Sequence, residues 1–75
     1  MTTKITTAAR TIARHHNAHV RAGMARSGFL LFHRDGTGGY WYSDASRPAM
    51  SPDLVRIDMR PSKMTTEEAQ EALDS

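Results

Sequence analysis

Three arginines near the start of the chain, Arg10, Arg14 and Arg21, have a spacing that could bind anions. On a helix they fall within one narrow stripe together with Asn17. Aligned guanidinium groups can form paired hydrogen bonds with phosphates or carboxylates. A merely solvated helix face is the alternative, but such faces usually alternate acids with bases, because each ion pair adds a few tenths of a kcal/mol. The lack of any acid in this stripe favours a binding role.

Charge is divided between the two halves of the chain. Residues 1–34 contain no acid, and their basic residues are Lys4, Arg10, Arg14, Arg21, Arg26 and Arg34. Residues 35–75 hold all eight acids, against Arg47, Arg56, Arg60 and Lys63. The acidic side chains of Glu67, Glu68 and Glu71 form either a solvated helix face or an alternative partner-binding surface that imitates phosphates. Such asymmetry bears on partners and on encounter rates.

Four histidines and a glycine cluster are further candidates for a binding site. His15 and His19 share a helix face, but no cysteine or nearby acid supplies a third ligand, so no metal site is predicted. His16 falls on the apolar face, where a hydrogen-bonded core histidine is expected. The glycines at 36, 38 and 39 lack the spacing of a phosphate-binding loop and indicate a hairpin turn.

The run Tyr40, Trp41 and Tyr42 follows that turn. Alternation along a strand places at least one of these rings on the face opposite its neighbours. Exposed rings beside Arg56 or Arg60 could stack on bases or anchor a protein interface. The alternative is that all three rings pack on the helix or on the loop at 44–53.

No catalytic constellation is present, because nothing places a nucleophile, a base and an orienting group together. Seventy-five residues also leave little room for a concave pocket. We therefore expect a binding protein, with no enzymatic activity and no cofactor.

The elements that would position these residues form one domain over residues 1–75 and an α+β fold. A helix is predicted over residues 4–25, with Thr6 or Thr7 as its N-cap and Ser27-Gly28 as its end. Strands are predicted at 29–34, 40–42 and 54–60, and a helix over 65–73 begins with a Thr65–Glu68 capping box. We expect the long helix to lie on one face of a three-stranded antiparallel sheet, with the other face exposed. The predicted core is Ile5, Ile12, Val20, one face of the hairpin, Val55, Ile57 and Met59.

Location and self-association also follow from the pattern. No apolar run reaches the roughly 20 residues of a membrane span. The acid-free start resembles an organellar transit peptide, but its helix looks necessary for the core, so a cytoplasmic protein of a bacterial host is expected. The apolar face of that helix has no aromatic residue, which ranks membrane attachment last. An unpaired sheet edge invites a homodimer.

In its compact α+β order, its lack of cysteine and its short aromatic hairpin at 29–42, the chain resembles the small anti-CRISPR inhibitors of phages and mobile elements. These families share no diagnostic motif, so the resemblance assigns no residues. It implies docking on an RNA-guided effector, a ribonucleoprotein complex, where the inhibitor occludes a target-DNA site or locks a subunit. The alternative is direct nucleic-acid binding through the basic helix, with affinity that falls steeply with salt.

Overall fold

The computed structural model describes residues 4–24 and 27–75. Its elements, in chain order, are α1 (Thr7–Ala22), β1 (Phe29–His33), β2 (Gly38–Tyr42), β3 (Leu54–Asp58) and α2 (Thr66–Asp74). The order α-β-β-β-α confirms the predicted α+β fold. Neither helix, over the described ranges, has the length and apolar character needed to cross a bilayer.

Helix α1 begins at a threonine cap and ends at a glycine. The hydroxyl of Thr6 accepts a hydrogen bond from the Ala9 amide at 3.2 Å, which satisfies one free donor of the first turn. Gly23 adopts a left-handed conformation with φ of 66° and closes the last turn. The prediction that the helix ends at Ser27-Gly28 was wrong, because Gly23 already provides the left-handed residue. Arg26, expected near the helix end, lies outside the described residues.

The sheet has the strand order β2-β1-β3, with both neighbours antiparallel to the central strand. The turn between β1 and β2 holds the Asp35 carboxylate, which accepts hydrogen bonds from the amide and the hydroxyl of Thr37. These bonds hold the pKa of Asp35 below its ordinary value. The register shifts between Leu31 and Phe32, at the glycines that open β2. The predicted hairpin is confirmed, but its turn is shorter than predicted, because Gly36 lies in the turn whereas Gly38 and Gly39 already belong to β2.

The core lies between α1 and one face of the sheet. Its buried residues are Ala9, Ile12, Ala13, Leu30, Phe32, Val55, Ile57, Met59 and Ala69. Ile5 and Val20, also predicted here, are only partly buried and pack against its edge. His16 is fully buried, and its Nδ1 lies 3.1 Å from the Asn17 side-chain oxygen, which confirms the predicted core histidine.

The sheet face turned away from α1 is not simply exposed, and this part of the prediction was wrong. Phe29 and Leu31 point to that face, and both are buried. The Arg56 guanidinium lies 4.0 Å from the centre of the Phe29 ring, and Tyr42 stacks on the same ring at 5.5 Å. The loop between β2 and β3 adds a cover, since Pro48 and other loop residues line a small cavity against Phe29.

Helix α2 begins with the predicted capping box, in which Thr65 and Glu68 bond each other's backbone amides. Two polar side-chain contacts fix it against α1. The Asn17 side chain donates to the Met64 carbonyl at 2.9 Å and accepts from the Met64 amide at 2.7 Å. The Gln70 side-chain oxygen accepts from both the amide and the hydroxyl of Thr6. Asn17 therefore belongs to the contact between helices and not to the arginine stripe.

Candidate partner-binding surface

The stripe of Arg10, Arg14 and Arg21 lies on the solvent side of α1, and all three residues are exposed. The stripe extends over about 16 Å, at 1.5 Å of rise per residue. Within the described part of the chain, no carboxylate forms an ion pair with any of them. Arg14 makes only a long contact of 3.5 Å with the Thr11 hydroxyl. These three charges are therefore available to a partner.

A groove of about 470 Å³ runs along the flank of α1 beside the stripe. Its lining residues, here called the α1 groove, are Thr11, Arg14, His15, Ala18, His19, Ala22 and Met24. The small side chains of Ala18 and Ala22 leave the space, because they lie between Arg14 on one side and the two histidines on the other. Met24 is 75% exposed at the end of the groove. Its lining is largely apolar with a basic rim.

The two histidines of the groove stack on each other, with ring centres 4.8 Å apart. His15 also meets the edge of the Phe32 ring and lies over Gly39. Burial is the main cause that lowers the pKa of His15, and the nearby His19 lowers it further, while a hydrogen bond to the Gly39 backbone opposes the shift. The His15 ring is therefore a largely neutral wall of the groove near pH 7.

Trp41 lies on the same side of the sheet as α1. Its partner across the ladder is Leu30, which is a core residue. The indole N–H donates to the Ser27 carbonyl at 2.7 Å, yet the residue remains 46% exposed. Strand β2 runs in the same direction as α1, because Gly36, just before the strand, lies against Ala8, and Gly39 lies against His15 further along the helix. Trp41 thus adds an exposed ring to the side that carries the groove.

The other predicted aromatic and basic residues lie on the opposite face. Tyr40 and Arg56 flank Leu31 there, because both pair with it across the sheet. Tyr40 is 71% exposed, whereas Tyr42 is half-buried against Phe29. Arg56 also forms an ion pair with Asp58 at 2.8 Å. The structure therefore separates Tyr40, Tyr42 and Arg56 from the arginine stripe.

Arg60 and the acids belong to a third region. Arg60 forms an ion pair with Glu68 and donates to the Lys63 carbonyl. The Arg60 hydrogen bond is the main cause that lowers the pKa of Glu68 to about 2, and the Thr65 amide contributes. Glu68 is therefore occupied by the α2 cap and by Arg60. Glu67 and Glu71 are exposed and stay candidates for an acidic surface.

No group of three or more metal-ligating side chains comes together in residues 4–24 and 27–75. His15 and His19 accordingly stand as a stacked pair in the groove wall. The α1 groove itself was missed from the sequence, although Thr11, His15, Ala18 and Ala22 share one helix face. The signal for this groove was a pair of alanines on a solvent-facing side of the helix, between a basic residue and two histidines.

No family model, curated protein or solved structure matches this chain. The arginine stripe and the α1 groove together form one face of the molecule, here called the α1 surface.

Proposed function

We propose that this chain is a non-catalytic binding protein that docks through the α1 surface on a larger protein or ribonucleoprotein complex, and blocks or modulates it. The observation that supports this proposal is the set of three exposed arginines with no ion-pair partner among the described residues. Helix α1 forgoes the stabilisation that interleaved acids would give. A partner's carboxylates would supply it on binding.

The charge distribution supports a specific orientation of docking. The basic stripe lies on α1, and the exposed acids Glu67 and Glu71 lie on the neighbouring α2. A surface with adjacent basic and acidic stripes attracts a partner with the complementary order and repels one that is uniformly negative. This pattern suits a protein surface better than a continuous phosphate backbone.

The finer proposal is that the partner is an RNA-guided effector complex in the cytoplasm of a bacterial host. Its support is the resemblance to anti-CRISPR inhibitors in size, element order and aromatic hairpin. The test is target-DNA binding by purified effectors of different types, with the chain in molar excess. Loss of target binding by at least one effector, and its recovery with the Arg10→Ala, Arg14→Ala, Arg21→Ala variant, is expected. Full target binding by every effector contradicts the finer proposal.

Direct nucleic-acid binding is the second candidate, and the exposed Trp41 on the α1 side of the sheet favours it. Three phosphate contacts predict a slope of about −2.7 on duplex DNA, and about −2 on single-stranded DNA, for the logarithm of affinity against the logarithm of salt concentration. Duplex and single-stranded DNA are titrated at low and moderate salt with the wild type and the triple arginine variant.

The control for these titrations is Arg47→Ala, since Arg47 lies in the loop on the opposite sheet face. We expect no DNA binding at low salt, which supports the protein-partner proposal. Salt-sensitive binding that the triple variant abolishes and the control retains would refute that proposal in favour of DNA.

A further inference from the structure

We propose that the α1 groove receives an acidic peptide segment of the protein partner, in which an apolar side chain fills the groove and flanking carboxylates meet the arginines. This inference rests on the proposed function and names the chemistry that its surface recognises. The occupant is a protein segment because the groove combines an apolar lining with a basic rim.

The lining of the groove supplies the apolar contacts of the proposed site. Ala18, Ala22 and the exposed Met24 present carbon to solvent along the groove. Its volume of about 470 Å³ lies within the roughly 300–1,000 Å³ of pockets that bind small molecules. Burial of an apolar side chain there is favourable in proportion to the area removed from water. Methionine adapts to partners of different shape, which suits a recognition surface.

The rim of the groove supplies the charged contacts of the proposed site. Arg14 lines the groove, and Arg10 and Arg21 continue the same stripe on either side along the helix. Arg14 is four residues from Arg10 and seven from Arg21, which correspond to rises of about 6 and 10 Å. A guanidinium binds a carboxylate through two parallel hydrogen bonds. Acidic residues at those separations, on either side of an apolar residue, would match the rim.

A nucleic-acid backbone matches this site less well. Phosphates are bound mainly by arginine, lysine and polar side chains, whereas Ala18 and Ala22 offer no side-chain donor. Glu67 and Glu71 on the adjacent α2 would repel a continuous line of phosphates. A peptide carries separate charges and avoids this repulsion.

The experiment uses the whole chain and fluorescently labelled peptides. The first peptide places leucine and phenylalanine among aspartates and glutamates. The second replaces the apolar residues by serine, and the third replaces the acids by their amides. Single-stranded DNA of matched charge is the fourth probe. Fluorescence anisotropy is expected to show binding of the first peptide at least about tenfold tighter than that of the others, which corresponds to 1.4 kcal/mol.

Two variants locate the binding site. Ala18→Gln fills the groove with a neutral residue that favours helix, and Ala49→Gln makes the same change at an exposed loop position. Arg14→Glu reverses a rim charge, and Arg47→Glu makes the same reversal on the opposite sheet face. We expect Ala18→Gln and Arg14→Glu each to weaken the first peptide at least about tenfold, and both controls to leave binding unchanged. Circular dichroism checks that every variant is folded.

Several results would overturn the inference. Equal binding of the serine peptide, wild-type binding by Ala18→Gln, or tighter binding of DNA would each exclude an apolar-acidic segment as the occupant. A dimer in light scattering that Ala18→Gln dissolves would show that a second copy fills the groove. A different result would refute the proposed function, namely that the triple arginine variant keeps the activity of the wild type on its partner. If the triple arginine variant loses activity on the partner while Ala18→Gln keeps it, docking through the arginines stands and the groove is rejected as the peptide site.

Discussion

Replacement of Asn17 by alanine should loosen the contact between the two helices. Its side chain forms both a donor and an acceptor bond with the backbone of Met64, 47 residues further along the chain. Asn17→Ala removes both bonds and leaves the amide and the carbonyl of Met64 without their partner. The nearby Nδ1 of His16 also loses the Asn17 oxygen.

The magnitude follows from these contacts. A net contribution of about 1–1.5 kcal/mol for each bond, with Met64 half-buried, gives a loss of roughly 2–3 kcal/mol. Alanine is the better helix former and offsets up to about 0.7 kcal/mol. The net loss is then about 1.3–2.3 kcal/mol, or a fall in Tm of roughly 5–18 °C at this chain length.

Thermal and urea denaturation followed by circular dichroism measure this loss. The control is Arg21→Ala on the exposed side of the same helix, where a change within about 0.5 kcal/mol is expected. Hydrogen exchange of the Ala69 and Gln70 amides should also accelerate, because α2 opens more readily from α1. A free-energy change of Asn17→Ala no larger than that of Arg21→Ala would refute the role assigned to this contact.

Two further predictions concern Glu68 and the groove wall. The folded pKa of Glu68 is depressed from 4.5 to about 2, so its contribution to stability is present above pH 4.5 and is lost as the pH falls toward 2. Glu68→Gln should therefore lower Tm near neutral pH and flatten its acid dependence in that window; an unchanged acid profile would count against the Arg60–Glu68 pair. Gly39→Ala should destabilise the fold, because φ at this position is +85° and the new methyl group would lie 2.6 Å from the His15 ring, with a strain of about 1–3 kcal/mol. Gly38→Ala is the matched control, since it has a similar φ of +97° but its nearest contact is 3.2 Å; equal urea midpoints for the two variants would show that His15 does not pack on Gly39.

Local patterns predicted much of the fold. The Thr65–Glu68 pair identified the start of α2, because this spacing satisfies two amides at once. The alternation of Val55, Ile57 and Met59 identified the buried side of β3. In both cases the physical cause lies within a few residues of the chain.

The errors arose where distant parts of the chain meet. The apolar run at the start of β1 belongs to a central strand buried on both faces, but its outer cover comes from Arg56 and a loop far along the chain. Asn17 looked like a member of the exposed stripe because no helical pattern shows which side will meet Met64.

The candidate site shows the same division. The exposure of the arginine stripe on α1 could be predicted from helix periodicity. The engagement of Arg56 with Phe29 and Asp58, and of Arg60 with Glu68, could not, because it depends on register and on the position of α2. The α1 groove had a signal in the sequence, since its lining lies on α1 and at Met24 just after it, but the packing of His15 on Gly39 of β2 could not be predicted from the helix alone.

The contact between Thr6 and Gln70 has a consequence for the order of events during synthesis. The two residues are 64 positions apart, so a ribosome that adds about 5–20 residues per second reaches Gln70 roughly 3–13 s after Thr6. The three strands are synthesised within that interval, so the apolar side of α1 lacks a complete sheet for much of it and lacks its neighbouring helix until its end. The nascent chain must therefore keep an amphipathic, positively charged helix soluble before it can fold, close to the polyanionic RNA of the ribosome itself.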